Sequence, residues 1–125
     1  MEQPNKEAID HVWYMRPVFF VSDIERSIGF YVNTLGFKKK WHSEDGKGTV
    51  CQVDRGDCEI ILCEDATRDD RGRVFLELKR AGVDQLLKEV SERSIQTKKM
   101  WWGYDVLQIK DPDGNELLVC LENLL

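Results

Sequence analysis

Histidine is nearly missing from this chain of 125 residues, which has His11 and His42 and no others. So small a supply leaves little for a histidine-rich metal centre, and no histidine–aspartate partner flanks a recognisable nucleophilic serine. The four cysteines, Cys51, Cys58, Cys63 and Cys120, form no CxxC pair and sit among strand-like residues. They read as buried free thiols in a reducing cytoplasm rather than as a zinc site or a disulfide frame. No apolar run approaches the roughly 20 residues of a membrane span. The opening Met1-Glu2-Gln3-Pro4-Asn5-Lys6-Glu7 lacks the basic-then-apolar order of a secretory signal. An excess of positive charge is also lacking. The net charge is −5, which argues against nucleic acid or an anionic membrane as partner and favours a cationic one. Gly46-Lys47-Gly48 is too short to cradle a phosphate and opens no helix. The composition, 42% hydrophobic and 33% charged, is that of an ordinary globule long enough to bury a core.

What the chain does have is the same layout twice. Asp111-Pro112-Asp113-Gly114-Asn115-Glu116 runs into the apolar stretch Leu117–Leu121, and Asp54-Arg55-Gly56-Asp57-Cys58-Glu59 runs into Ile60–Cys63. Each is an acidic turn whose glycine tolerates a positive φ, feeding a strand. A strand and an amphipathic helix precede each hairpin. The first strand begins near Tyr14 and runs through Val21. Ser22-Asp23-Ile24-Glu25 reads as a capping box for a helix whose apolar positions are Ile24, Ile28, Tyr31, Val32 and Leu35, closed by Gly36. Further strands are expected at 37–42, 49–53 and 59–63. The second half repeats the order with Arg73–Leu78, a helix carrying Val83, Leu86, Leu87 and Val90, a short strand at 95–97, then 104–110 and 117–121. The prediction is a single α+β domain spanning 1–125. It consists of two βαβββ modules in tandem, 13–64 and 73–122, with an N-terminal arm at 1–12 and a charged joint at 65–72. The two modules should form a curved mixed sheet around a concave groove.

Strand alternation sorts the side chains. One face of the flanking strands carries Phe19, Val21, Ile60, Leu62, Val74, Leu76, Leu117 and Val119, the expected core. The opposite, mixed face carries Arg16, Val18, Phe20, Glu59, Ile61, Cys63, Arg73, Phe75, Glu77, Glu116, Leu118 and Cys120. An apolar surface with a few charges suits a ligand groove. The lysines Lys38, Lys39 and Lys40 read as protection of an exposed strand edge.

Three stretches resemble the vicinal-oxygen-chelate superfamily of glyoxalases, extradiol dioxygenases, fosfomycin-resistance enzymes and bleomycin-resistance proteins. They are Val21-Ser22-Asp23-Ile24-Glu25-Arg26-Ser27-Ile28-Gly29-Phe30-Tyr31, Leu35-Gly36-Phe37, and Asp111-Pro112-Asp113-Gly114-Asn115-Glu116. The resemblance covers residues 16–122. It implies that metal-binding members take ligands from the positions held here by Arg16, Ile61, Arg73 and Leu118. Arginine, isoleucine and leucine offer no donor to zinc, iron or manganese. No metal, no cofactor and no catalytic residue is therefore assigned. His42, Glu59, Glu77 and Glu116 are the fallback donors should the register differ.

The opening Arg16-Pro17-Val18-Phe19-Phe20-Val21-Ser22-Asp23 is similar to the metal-free bleomycin-resistance branch. That likeness implies a cytoplasmic homodimer that sequesters a drug or toxic metabolite in a groove shared between subunits. The expected ligand-binding residues are Arg16, Phe20, Trp41, Glu59, Arg73, Phe75, Glu77, Trp102 and Glu116. Trp41 or Trp102 would be a stacking wall, and Arg16 and Arg73 would hold the ligand's polar end. Two guanidinium groups would repel a cationic drug unless Glu59, Glu77 or Glu116 neutralise them. The alternatives are a structural pairing of these arginines with Glu77 or Glu116, and a metal-dependent lyase, isomerase or dioxygenase with a rearranged site. A third is an interaction protein whose concave face is filled by a partner.

Overall fold

The computed structural model describes residues 13–122. The expected arm at 1–12 lies outside them. Eight strands and two main helices follow in chain order: β1 (Val18–Val21), α1 (Ile24–Gly29), β2 (Lys38–His42), β3 (Val50–Arg55), β4 (Cys58–Glu64), β5 (Arg73–Leu76), α2 (Arg80–Glu92), β6 (Lys98–Trp101), β7 (Asp105–Lys110) and β8 (Glu116–Cys120). They build two four-stranded mixed sheets, ordered β1-β4-β3-β2 and β5-β8-β7-β6. In each, the first strand runs parallel to the last and the remaining pairs are antiparallel. The helix after the first strand is the crossover that parallel pairing requires. The repeat anticipated from the two turns is thus present as two modules, each with its own sheet rather than a share of one continuous sheet.

Local chemistry explains where the elements begin and bend. The capping role expected of Ser22 belongs to Asp23, whose carboxylate accepts from the Arg26 backbone N–H at 3.1 Å. Ser22 instead offers its hydroxyl oxygen to the Arg26 guanidinium at 2.8 Å. Glu64 reaches over from β4 and accepts from the Ile24 N–H at 2.8 Å, satisfying a second orphan donor of the first turn. After Gly29 the helix widens into a π-helical stretch, Phe30–Thr34. The strand expected at 95–97 starts later, at Lys98, and Ile95 is instead a core residue below the end of α2. At the hairpin tips, Gly56 (φ 58°) and Gly114 (φ 89°) take the left-handed conformation their turns require.

The apolar faces of both sheets close on one cluster. Phe19, Val21, Ile60 and Leu62 from the first module meet Leu107, Ile109, Leu117 and Val119 from the second, with Tyr31, Leu35 and Leu86 from the helices between. Six of the eight expected core residues are buried. Val74 and Leu76 are only half-buried, packed against the cluster's edge. The second face of each sheet points away from this shared core.

Two polar braces fasten the modules. The turn after β7 reaches the first module, where the fully buried Tyr31 donates its hydroxyl to Asp111 at 3.0 Å. Burial, reinforced by the Asp111 charge, holds that phenol well above its usual pKa. Asn115, also fully buried, donates to the Phe20 carbonyl and accepts from the Gly72 N–H. In the reverse sense Arg55, at the tip of β3, makes a bidentate pair with Glu89 of α2, both contacts 2.9 Å, and donates to the Leu35 carbonyl. These hydrogen bonds hold the Glu89 carboxyl below its usual pKa. Each module's hairpin tip therefore grips the other module's helix.

Candidate functional site

The outward face of the first sheet is organised by a residue that alternation alone did not single out. Gln52, on β3 beside Ile61 of β4, is 2% exposed. Its carbonyl oxygen accepts from the Arg16 guanidinium at 2.8 Å and from the Trp41 indole at 3.0 Å. Its amide nitrogen donates to Asp54 and to Glu59, each at 2.9 Å. One buried amide thus spends all its hydrogen-bonding capacity on four side chains and fixes their positions. The signal was available: Gln52 is the one uncharged polar residue of its strand and lies between the apolar Val50-Cys51 and Val53. Arg16 also lies 5.5 Å from the Tyr14 ring, and Trp41 remains 41% exposed.

The outward face of the second sheet places the matching residues in matching pairs. Gln108 stands beside Leu118 as Gln52 stands beside Ile61. Arg73 forms a bidentate ion pair with Glu116, both bonds 3.1 Å, and Gln108 donates to the same carboxylate. Next to that pair the rings take over. Phe75 stacks on Trp102 at 5.7 Å and 14°, Tyr104 meets Phe75 edge-on, and the Arg73 guanidinium lies 5.8 Å from the Trp102 ring centre. Leu118 and Cys120, expected on an open mixed face, are buried.

Of the nine residues expected to bind a ligand, Arg16, Trp41 and Glu59 come together on the first face and Arg73, Phe75, Trp102 and Glu116 on the second. Phe20 stands apart, half-buried with the Arg68 guanidinium 3.9 Å above its ring. Glu77, expected beside Arg73 and Phe75 on one strand face, lies past the end of β5 and is exposed next to Arg55 and Asp57. Because the two core-facing surfaces share one cluster, the two arginines stand on separate outward faces. The fork of Arg73 is already filled by Glu116.

The donors among the described residues do not fit a resident metal ion. Arg16, Ile61, Arg73 and Leu118 supply no ligand atom. Glu59 and Glu116 are engaged on different sheets, and His42 is turned to the Gly48 carbonyl at 2.8 Å. Among the described residues no three His, Cys, Asp or Glu side chains converge. The fallback set of His42, Glu59, Glu77 and Glu116 is therefore dispersed. The described cysteines are free, and burial pushes the Cys51 and Cys58 thiols up to about 11, leaving them protonated and unreactive at neutral pH.

Paired βαβββ modules with parallel outer strands and helix-backed cores are matched in known proteins. A family model of the glyoxalase/bleomycin resistance protein/dioxygenase superfamily fits residues 8–119. The chain belongs to that superfamily. Among curated members, the bleomycin resistance protein of Geobacillus stearothermophilus is 26% identical, the match covering 79% of this chain and 89% of the relative. Among solved structures, a bleomycin-binding protein complexed with bleomycin superposes with a TM-score of 0.70 at 17% identity, over 88% of this chain and 98% of that one. Lactoylglutathione lyase from Agrobacterium tumefaciens gives 0.66 at 16%, over 86% and 92%. At those identities the two structures establish the superfamily fold and leave chemistry to the site. No helix among the described residues is long and apolar enough to cross a membrane.

Proposed function

We propose that this superfamily member binds a small organic cation bearing a planar ring and holds it unchanged, without a metal ion, in a groove completed by a second copy of the chain. The network around Gln52 carries the reading. Within the hydrogen-bonded cluster Arg16 supplies one positive charge against two negative ones from Asp54 and Glu59, a net of −1 around Gln52, with Lys38 standing opposite Asp54 at the edge of the face. On the other, Glu116 neutralises Arg73 beside the aromatic rings, while Lys98 and Lys110 stand toward the far strands of the same face. The repulsion that two free guanidinium groups would exert on a cation is thereby removed, whereas an anion would have to displace Glu116 from a bidentate pair. Trp41, 41% exposed, offers ring surface on which a planar cation stacks, and Trp102, equally exposed, adds the edge of a ring already stacked on Phe75. Likeness to bleomycin resistance proteins supports drug sequestration as the role, and the outward position of both faces supports a second copy as the opposite wall.

Tryptophan fluorescence titration tests this with bleomycin, small planar cations and small planar carboxylates side by side. The cations should quench saturably, and Gln52→Leu, which releases Arg16, Trp41, Asp54 and Glu59 together, should weaken them about tenfold or more. Binding of the carboxylates alone would overturn the charge argument. Full-affinity binding by a species that sediments as a monomer would remove the shared groove.

A further inference from the structure

The two hairpin tips do not close their neighbours equally, and the difference leaves a cleft. At the joint between β1 and α1, Asp113 accepts from the Ser22 N–H at 3.1 Å and pairs with Arg26, while Asn115 donates to the Phe20 carbonyl. Phe19 and Val21 behind this joint are 2% and 1% exposed. The matching joint lies between β5 and α2, under the tip that carries Arg55 and Cys58. There Leu76 and Leu78, the counterparts of Phe19 and Val21, are only half-buried. Between them and the tip lies a cleft of about 130 Å³, lined by Cys58, Leu76, Leu78, Leu86 and Ile109, with Arg55 as its charged wall. It widens outward into a hollow of about 530 Å³ that shares Arg55, Cys58, Leu76 and Leu78, is rimmed by Asp57, Glu77 and Lys79, and reaches Phe75, which does not line the inner cleft.

We infer that this cleft binds a small uncharged apolar molecule about the size of one aromatic ring, at a site separate from both outward sheet faces. The cleft opens through the outer hollow, so its leucine walls face solvent until a ligand covers them, and removing that apolar surface from water favours binding. The fold seals the matching joint, so the opening is not forced by the architecture. Polar accounting sets the ligand class. The Arg55 charge is neutralised by its bidentate pair with Glu89, and the Cys58 thiol is protonated, so the walls of the cleft carry no unbalanced charge. Size sets the scale, since an apolar cavity of about 150 Å³ accepts benzene.

The probe is benzene, titrated into full-length protein labelled at leucine methyl groups. Saturable shifts centred on Leu76, Leu78 and Leu86, with a rise in Tm, are expected. Leu78→Phe or Cys58→Met, either of which fills the cleft, should weaken binding about tenfold or more. Two filling positions are used so that loss of fold in one leaves the other informative. Three outcomes overturn the inference: no saturable shift, shifts centred instead on Leu118, the strand partner of Phe75, or contacts from residues 1–12 or 123–125 to these methyls that exclude benzene.

Discussion

The joint after β1 and the joint after β5 sit at equivalent places in the two modules, yet one is locked by buried hydrogen bonds and the other is lined with leucine. At the first, Tyr31, Asp111 and Asn115 interlock with almost no exposure. At the second, the brace is an ion pair in which Arg55 keeps about a third of its side-chain surface in solvent, 34% against 8% for Glu89. A buried amide admits one geometry, because each donor left unpaired is expensive. Leucine side chains tolerate a gap. The two outward faces differ in the same sense: an amide hub sets the first, and a ring stack beside an ion pair sets the second. A duplicated frame can therefore hold one rigid half and one adaptable half.

Deleting each brace measures that contrast. Asn115→Ala removes the partner of the half-buried Gly72 N–H and Phe20 carbonyl and of the buried Asp111 carboxylate and should cost on the order of 3 kcal/mol in urea unfolding. Arg55→Ala leaves Glu89 with Gln85 and Arg93 as remaining partners, so about 1–2 kcal/mol is expected. Equal losses would mean the exposed brace is as rigid as the buried one. Acid titration sharpens the point. The Glu89 pKa is lowered in the folded protein, so its stabilisation is complete above the unfolded value of 4.5 and fades as pH falls through the folded one. Glu89→Gln should flatten the acid limb of the stability curve, and an unchanged limb would place the sensitivity elsewhere. On the outward faces, Trp102→Ala removes a stacked ring and should cost about 1 kcal/mol of stability, with Trp41→Ala below that. The smallest effect is expected from zinc, iron or manganese added to purified protein, which should leave Tm unchanged. A rise with one bound equivalent would bring forward the metal-dependent enzyme reading.

Much of the frame was legible because it depends on local chemistry. The turns at Gly56 and Gly114, the Val83, Leu86 and Val90 positions of α2 and the alternation on β4 each follow from neighbours in sequence, whereas Leu87, expected on the same helix stripe, is exposed and β8 is buried on both faces. What escaped depends on distance. Asp23 displaced Ser22 as the cap because the Arg26 guanidinium competes for the serine hydroxyl. Val74 and Leu76 obey the core pattern but stand beside a tip that fails to cover them. The Gln52 hub could have been suspected from its apolar neighbours, but its four partners come from three strands and the segment before β1. The pairing of Arg73 with Glu116 was foreseen as one option, and parallel register between β5 and β8 is what makes it bidentate.

The joint at 65–72 has a consequence of its own. It is exposed over most of its length, and Arg68 with Asp70 forms an ion pair within it. The modules are held by side chains reaching across from hairpin to helix, not by this covalent link. A protease nick between Thr67 and Asp69 should therefore leave a noncovalent heterodimer of two fragments that migrate together under native conditions and separate in denaturant. The same property would let the halves serve as a reconstituting pair, each silent until the other is supplied.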